Sequence, residues 1–229
     1  MKYVVLIPSY EPDEKLIKLL KTISNDVDII LVNDGSSKEY DEIFLEAKKY
    51  AHVISYSENK GKGYALKKGL KYIKEKYDKY VVVTMDADGQ HTFSDAKKIL
   101  DYASKNLNTL VIGKRFWDKT TPKSSRFGNY ITRKIYKNVT GIDIYDTQSG
   151  LRAFSFKLMD YMLKTEGEIY EYEMNVLLYL KKNKIDVKEI SIETIYINKN
   201  ETSHYRTFKD SYRIYKTIRR KKQNEKNIR

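Results

Sequence analysis

Two aspartates separated by a single residue, Asp86 and Asp88, follow directly on the apolar run VVVTM. Such a pair after a strand often forms only a turn or a helix cap. Two carboxylates at this spacing can also present oxygens to one hard divalent cation, which prefers carboxylate, water and phosphate oxygens. Ala87 and Gly89 are small enough to let a diphosphate approach. The pair therefore predicts a cation site that would neutralise charge on a departing nucleotide.

Charged residues also follow the other predicted strands. The runs YVVLI, DIILV and TLVIG lead into PSYEPDE, NDGSS and KRF. Ligands of an open parallel sheet bind beyond the carboxyl ends of its strands, so these loops should line one crevice. Four acids and two bases meet there, which favours a site completed by a cation and an anion. They are Glu11, Asp34, Asp86, Asp88, Lys114 and Arg115.

Two familiar nucleotide-binding motifs do not fit. A dinucleotide fold needs G-x-G-x-x-G after the first strand, and IPSYEP contains no glycine. A P-loop needs G-x-x-x-x-G-K followed by Ser or Thr, and NKGKGYAL has neither this spacing nor a hydroxyl residue after Lys62. Lys60 and Lys62 can equally be surface charges, and His91 can cap the following helix.

Strands and helices alternate through the first half of the chain. Apolar residues recur at helical spacing in DEKLIKLLKTIS, and similar runs are KEYDEIFLEAKKYA, YALKKGLKYIKEKY and FSDAKKILDYASKN. Short apolar strands separated by such helices predict an α/β fold with a mostly parallel sheet covered on both faces. The second half reads as helices at SRFGNYITRKIYKNVTG, FKLMDYML, EYEMNVLLYLKKNK and FKDSYRIYKTIRRKK, with extended chain at IDVKEISIETIYI.

The two halves of the chain differ in net charge. Residues 1–112 hold 18 Lys and Arg against 17 Asp and Glu, whereas residues 113–229 hold 26 against 14. A balance of +12 in the second half predicts an anionic partner, such as phosphate, a lipid headgroup or nucleic acid. The sequence has no cysteine, which excludes disulfides and thiolate zinc sites. It has no apolar run long enough to span a bilayer, so we expect a soluble or peripheral protein.

The series IPSYEPDEKL, LVNDGSS, NKGKGYALKKGL and VVTMDADGQH, in this order, resembles the nucleotide-binding half of family-two inverting glycosyltransferases with the GT-A fold. The runs RFGNYITRKIYKNVTGIDIYDTQSGLRAF and IYEYEMNVLLYLKK resemble the polyprenyl-phosphate sugar synthases of that family. The resemblance implies a Rossmann-like sheet in a single domain. Its nucleotide-sugar-binding section is 1–112, its helical and extended acceptor-binding section is 113–222 with a basic amphipathic helix at the end, and 223–229 is a frayed tail.

The resemblance also implies roles for individual residues. The nucleotide base and ribose are surrounded by Pro8, Tyr10, Glu11, Asp34, Lys60 and Gly61. A Mn²⁺ or Mg²⁺ ion is held by Asp86, Asp88 and Gln90, beside Ala87. The diphosphate or the acceptor phosphate would be faced by Arg115 and Arg126, and a loop that in relatives closes over the diphosphate carries His204 and Arg206. The sugar and acceptor wall is formed by Asp146, Gln148, Ser149, Arg152 and Glu173. Residues that carry the reaction are Asp88, Arg115, Arg126 and Asp146. Many relatives have Asn before Glu11, where this chain has Tyr10, which leaves a UDP-sugar or a GDP-sugar open as donor.

The implied reaction is inverting substitution at the anomeric carbon. A saccharide acceptor needs a general base, for which Asp146 is the first candidate. A phosphate monoester is already ionised and needs only positioning between cations, so Asp146 would then position other groups. The basic second half favours a lipid-phosphate acceptor. The enzyme would then work at the cytoplasmic face of an anionic membrane, or beside a membrane-anchored partner protein.

Three alternatives stay open. The enzyme could use a saccharide acceptor in polysaccharide or cell-wall assembly. The chain could instead be a basic nucleic-acid-binding protein, although we expect no nucleic-acid partner, or a nucleotide-sugar binder without activity. The oligomeric state is not predicted.

Overall fold

The computed structural model describes residues 1–23, 25–116 and 123–193, in which strands and helices alternate. The strands are β1 (Lys2–Ser9), β2 (Asp28–Asp34), β3 (His52–Tyr56), β4 (Tyr80–Thr84), β5 (Thr109–Arg115), β6 (Arg152–Ser155) and β7 (Asp186–Ile192). The α-helices are α1 (Lys15–Thr22), α2 (Asp41–Ala47), α3 (Lys62–Lys76), α4 (Phe93–Lys105), α5 (Lys123–Thr140), α6 (Met159–Lys164) and α7 (Glu171–Leu178). Short 3₁₀ turns occupy Lys38–Tyr40 and Phe156–Leu158.

The seven strands form one sheet in the order β3-β2-β1-β4-β6-β5-β7. Strands β3, β2, β1 and β4 are parallel, and so are β5 and β7. Strand β6 is antiparallel to both of its neighbours, β4 and β5. All the other strands therefore run in one direction and end at the same edge. The predicted α/β class, with a mostly parallel sheet flanked by helices, is confirmed.

The sequence does not predict β6. Its four residues, RAFS, are too few to display an alternating pattern. Pairing on both sides defines the strand instead, since Arg152 lies opposite Thr84 of β4 and Ile112 of β5. Because β6 runs against its neighbours, it begins at the edge where they end. The segment before it, residues 146–151, is thereby brought to the ends of β4 and β5.

Side chains of the central strands alternate between two apolar layers. Val4 and Leu6 of β1 pack with α3, α6 and α7 on one face of the sheet. Val5 and Ile7 pack with α1, α2 and α4 on the other face. All four side chains are fully buried, as the sequence pattern of uninterrupted apolar residues predicts for a sheet covered on both faces.

The second half departs from the prediction at α7. This helix ends at Leu178, although the sequence pattern predicts helix as far as Lys184. The chain turns back there through Lys184, whose φ of 54° lies in the left-handed region, before it enters β7. The predicted C-terminal helix, at FKDSYRIYKTIRRKK, lies outside the described residues. Within the described part of the chain, no helix has the length and apolar character needed to span a membrane.

Truncating the core of the central strand should destabilise the whole fold. We expect Leu6→Ala to lower the free energy of unfolding by about 2–5 kcal/mol, because the side chain is fully buried between β1 and α3. The matched control is Leu45→Ala, at a side chain that is 66% exposed. Urea denaturation followed by circular dichroism measures both. Equal losses for the two variants would contradict this description of the core.

Candidate active site

Asp86 is held in a fixed position just beyond β4. Its Oδ1 atom lies 2.7 Å from the ammonium nitrogen of Lys62, and its Oδ2 atom lies 3.8 Å from Nε2 of His91. Behind it is the backbone of Gly150, where a Cβ atom would come within 2.3 Å of Asp86 Oδ2. Burial favours the protonated acid, but Lys62 and His91 outweigh it and lower the pKa of Asp86. This carboxylate is therefore ionised at neutral pH.

Lys62 joins Asp86 to a third element. It is the first residue of α3, and its ammonium nitrogen also lies 2.9 Å from Oε2 of Glu173 in α7. Burial favours the neutral amine, but Asp86 and Glu173 outweigh it and raise the pKa of Lys62. The lysine is thus a charged group inside the site and not a surface residue. The other oxygen of Glu173, Oε1, is buried and has no hydrogen-bond partner among the described residues.

Asp88 is the less neutralised member of the pair. Burial and the charge of Asp86 raise the pKa of Asp88, and its Oδ1 accepts a hydrogen bond of 3.0 Å from the backbone N–H of Gln90. Ala87, between the two acids, packs against the apolar core. Two such oxygen ligands suit Mg²⁺ or Mn²⁺, which complete their coordination with water and substrate phosphates. Within residues 1–23, 25–116 and 123–193, no three His, Cys, Asp or Glu side chains form a ready-made metal cluster.

His91 does not cap the following helix. That position belongs to Thr92, whose Oγ1 accepts a hydrogen bond from the backbone N–H of Asp95. His91 is 4% exposed, its Nε2 lies 3.8 Å from Asp86 Oδ2, and its Nδ1 has no hydrogen-bond partner within the part of the chain that the structure describes. Its side chain therefore belongs to the surroundings of the acid pair.

Asp34 connects the loops that follow β2 and β3. It is 3% exposed, and its oxygens accept hydrogen bonds from the hydroxyl of Tyr56 and the backbone N–H groups of Lys60 and Gly61, at 2.7–2.9 Å. Gly35 makes this approach possible, since a Cβ there would lie 2.2 Å from the backbone carbon of Glu58. Asp34 thus shapes the expected base pocket by positioning its loops.

The other residues expected around the base lie at the end of β1. Pro8 is buried within the strand, opposite Val32. Tyr10 and Glu11 are half-buried just beyond it, and the backbone N–H of Glu11 donates to Ser36 Oγ at 2.8 Å. The loops after β1 and β2 are therefore joined at the same edge as Asp86.

A second charged network lies at the end of β5. Arg115 binds Asp146 through two nitrogens, Nε at 2.7 Å from Oδ2 and Nη2 at 3.1 Å from Oδ1. Asp146 has no exposed surface, and its Oδ1 also accepts from the backbone N–H of Gln148 at 3.2 Å. Glu189 of β7 accepts hydrogen bonds from the N–H groups of Tyr145 and Asp146, at 3.0 and 2.9 Å. The carboxylate of Asp146 is thus used to position Arg115.

The side chain of Arg152 is buried and makes hydrogen bonds within the protein. It is 3% exposed, and its guanidinium donates to the carbonyl oxygens of Ser149, Glu173 and Thr147, at 2.9, 2.7 and 3.3 Å. It joins the segment before β6 to α7, and its predicted place at the sugar and acceptor wall stays a prediction. Ser149 is also fully buried, and its hydroxyl has no hydrogen-bond partner among the described residues.

Three expected residues cannot be placed by their side chains. Arg126 lies in α5, but the structure describes no side chain for it, and His204 and Arg206 lie outside the described residues. The site also contains Gly150 and Glu189, which the sequence did not indicate, and Lys62 and His91, which were not predicted to belong to it. Only Lys62 had a usable signal, as a lysine that opens a helix directly after a glycine.

Removing the carboxylate of Glu189 should loosen the loop that carries Asp146. We expect Glu189→Ala to lower the free energy of unfolding by about 1–3 kcal/mol, because two backbone N–H groups lose their acceptor. Glu75→Ala is the control, since that side chain is 65% exposed and its ion pair with Lys71 is 3.9 Å long. Urea denaturation measures both. A loss for Glu189→Ala no larger than for the control would contradict the positioning role.

Comparisons with known proteins agree with this architecture. The chain is 30% identical over 216 residues to a UDP-N-acetylglucosamine--dolichyl-phosphate N-acetylglucosaminyltransferase of Methanococcus voltae, covering 84% of this chain and 85% of that protein. It is 30% identical to the dolichyl-phosphate beta-glucosyltransferase of Saccharomyces cerevisiae, covering 82% and 65%. The crystal structure of mannosyl-3-phosphoglycerate synthase from Rubrobacter xylanophilus has the same fold, with a TM-score of 0.68 at 15% identity over 98% of this chain and 75% of that one. Residues 4–163 match the profile of Glycosyl transferase family 2, and the chain belongs to this family of glycosyltransferases.

Proposed function

We propose that this glycosyltransferase moves a sugar from a UDP-sugar or GDP-sugar to a polyprenyl phosphate, with inversion at the anomeric carbon. The observation that carries the choice of acceptor is the state of Asp146. Its carboxylate is fully buried and bound by two nitrogens of Arg115. A carboxylate in this setting is a poor general base, because taking up a proton would break the ion pair.

A phosphate acceptor removes the need for that base. A phosphate monoester is already ionised at neutral pH and attacks once it is positioned near cations. Arg115, fixed by Asp146, is a group suited to this, and the +12 charge of residues 113–229 would attract the anionic acceptor. The names of two relatives point the same way, since both are dolichyl-phosphate glycosyltransferases.

The donor would bind along the edge formed by the ends of β1, β2 and β4. Asp34 holds the loop at Lys60 and Gly61 in place for the nucleoside. Asp86 and Asp88 would hold a Mn²⁺ or Mg²⁺ ion, which supplies positive charge to the departing diphosphate when bound. The rigid backing of Asp86 by Gly150 keeps that carboxylate directed at the site.

A polyprenyl chain resides in a bilayer, so the proposal includes work at a membrane surface. Helix α5 supports this, because Tyr130 and Ile131 are 59% and 38% exposed and lie close in sequence to Arg133, Lys134 and Lys137. Aromatic and basic side chains together suit the interface of an anionic bilayer. A membrane-anchored partner protein is the alternative way to bring the acceptor to the enzyme.

The test of the proposed function is a transfer assay. The protein is incubated with labelled UDP-sugars and GDP-sugars, Mn²⁺ or Mg²⁺, and a short-chain polyprenyl phosphate. We expect one donor to give an acid-labile lipid-linked product, which Asp88→Asn abolishes. Transfer only to saccharides offered in parallel, or hydrolysis of the donor without any lipid product, would contradict the proposal.

Adding a methyl group at Gly150, next to the Asp86 carboxylate, should reduce activity without unfolding the protein. A methyl group in Gly150→Ala would lie against the Asp86 carboxylate, so we expect kcat/KM to fall by about 10- to 100-fold. Gly128→Ala is the matched control, since among the described residues a Cβ there meets no atom within 4 Å apart from its own helix backbone, and its activity should be unchanged. The assay is initial-rate transfer, with melting temperatures measured beside it. Full activity in Gly150→Ala would show that the position of Asp86 is not critical.

A further inference from the structure

Lys62 occupies the place between acids where a cation would bind. Its ammonium nitrogen lies 2.7 Å from Asp86 Oδ1 and 2.9 Å from Glu173 Oε2. Its side chain is 17% exposed, and that of Glu173 is 15% exposed, so solvent screens these charges little. The protein thus supplies its own counter-ion to one member of the predicted metal pair.

This counter-ion leaves Asp88 without a cation of its own. The ion pairs of Lys62 are to Asp86 and Glu173, and among the described residues Asp88 is in no ion pair. A divalent ion bound by both aspartates would either compete with Lys62 for Oδ1 of Asp86 or take Oδ2 of the same carboxylate, and in both cases it would lie a few ångströms from the ammonium charge. Repulsion at that distance is strong in a partly buried site.

We propose that Lys62 is a counter-ion latch, which neutralises Asp86 while no divalent ion is bound and must release it for the ion to bind. Glu173 is the partner that keeps the displaced ammonium inside the site, since its Oε2 atom lies 2.9 Å from the same nitrogen. The latch makes binding of a divalent ion by itself unfavourable. The inference rests on the proposed function, because it takes Asp86 and Asp88 as the ligands of the ion.

Two other roles for Lys62 make different predictions. If it only braces α3 against β4 and α7, removing it should leave the affinity for a divalent ion unchanged or lower it. If it only binds the donor diphosphate, removing it should weaken nucleotide binding and leave the ion unaffected. A latch alone predicts tighter binding of the ion when the lysine is removed.

The experiment is a titration of the full chain with Mn²⁺ in the absence of nucleotide, followed by the electron paramagnetic resonance signal of free Mn²⁺. We expect Lys62→Met to bind Mn²⁺ at least about tenfold more tightly than the wild type, because a like charge next to the site is gone. Lys67→Met is the matched control. This lysine is on the same helix and pairs with Glu168 at 2.5 Å, outside the acid pair, so its variant should bind as the wild type does.

Lys62→Met leaves two partly buried carboxylates without their cation, which endangers folding. The double variant Lys62→Met/Glu173→Gln removes one of those charges and keeps the test decisive, since it too should bind Mn²⁺ more tightly than the wild type. Adding Asp88→Asn to the double variant should abolish the gain, which locates the ion at the acid pair. Circular dichroism confirms that each variant is folded.

Unchanged or weaker Mn²⁺ binding by the folded lysine variants overturns the latch. A gain that survives Asp88→Asn overturns it as well, because the ion would then be bound elsewhere. The titration contains neither donor nor acceptor. A negative result in the transfer assay therefore does not change the Mn²⁺ affinities measured here. Unchanged Mn²⁺ binding by the lysine variants in turn does not contradict the proposed sugar transfer.

Discussion

The ion pair between Lys62 and Asp86 is the interaction on which the arrangement of the site depends. Strand β4 brings two carboxylates to its end, where they lose water and repel each other. The lysine compensates one of them and connects three elements, since α3 provides the ammonium, β4 leads to Asp86 and α7 provides Glu173. The position of the acid pair is thus set by charge as well as by the backbone.

The antiparallel strand β6 completes the other side of the site. Because it starts where β4 and β5 end, it places Gly150 behind Asp86 and Asp146 beside Arg115. Glu189 on β7 then fixes the loop by accepting from two of its N–H groups. Strand β6 thus lies between two charged networks, that of Lys62 with Asp86 and Glu173 and that of Arg115 with Asp146. One lies at the acid pair expected to receive the donor, and the other lies at the arginine expected to face the acceptor.

These networks differ in what they leave available for chemistry. Asp146 has both oxygens bound and no exposed surface, whereas Glu173, among the described residues, keeps one buried oxygen without a hydrogen-bond partner. A sugar hydroxyl as acceptor would need a general base, and Asp146, the first candidate, is engaged with Arg115. The satisfied state of Asp146 fits an acceptor that arrives already ionised. Family membership also favours an enzyme over the nucleic-acid-binding alternative.

The sequence by itself determined the class of fold, the end of β4 as the place of the acid pair, and the family. Short apolar runs such as those of β1 and β4 favour buried strands, and both the spacing of apolar residues and the order of the motifs can be read directly from the sequence. It could not determine β6, which is too short to carry a pattern and exists because two neighbours pair with it. Nor could the sequence assign Lys62 to the site, because the local pattern of a lysine at the start of a helix is the same whether the side chain faces water or two acids. Only the tertiary structure decided the role of Lys62, because folding brings it within ion-pair distance of both Asp86 and Glu173. The Coulomb energy of these pairs depends on separation in space and not on separation along the chain.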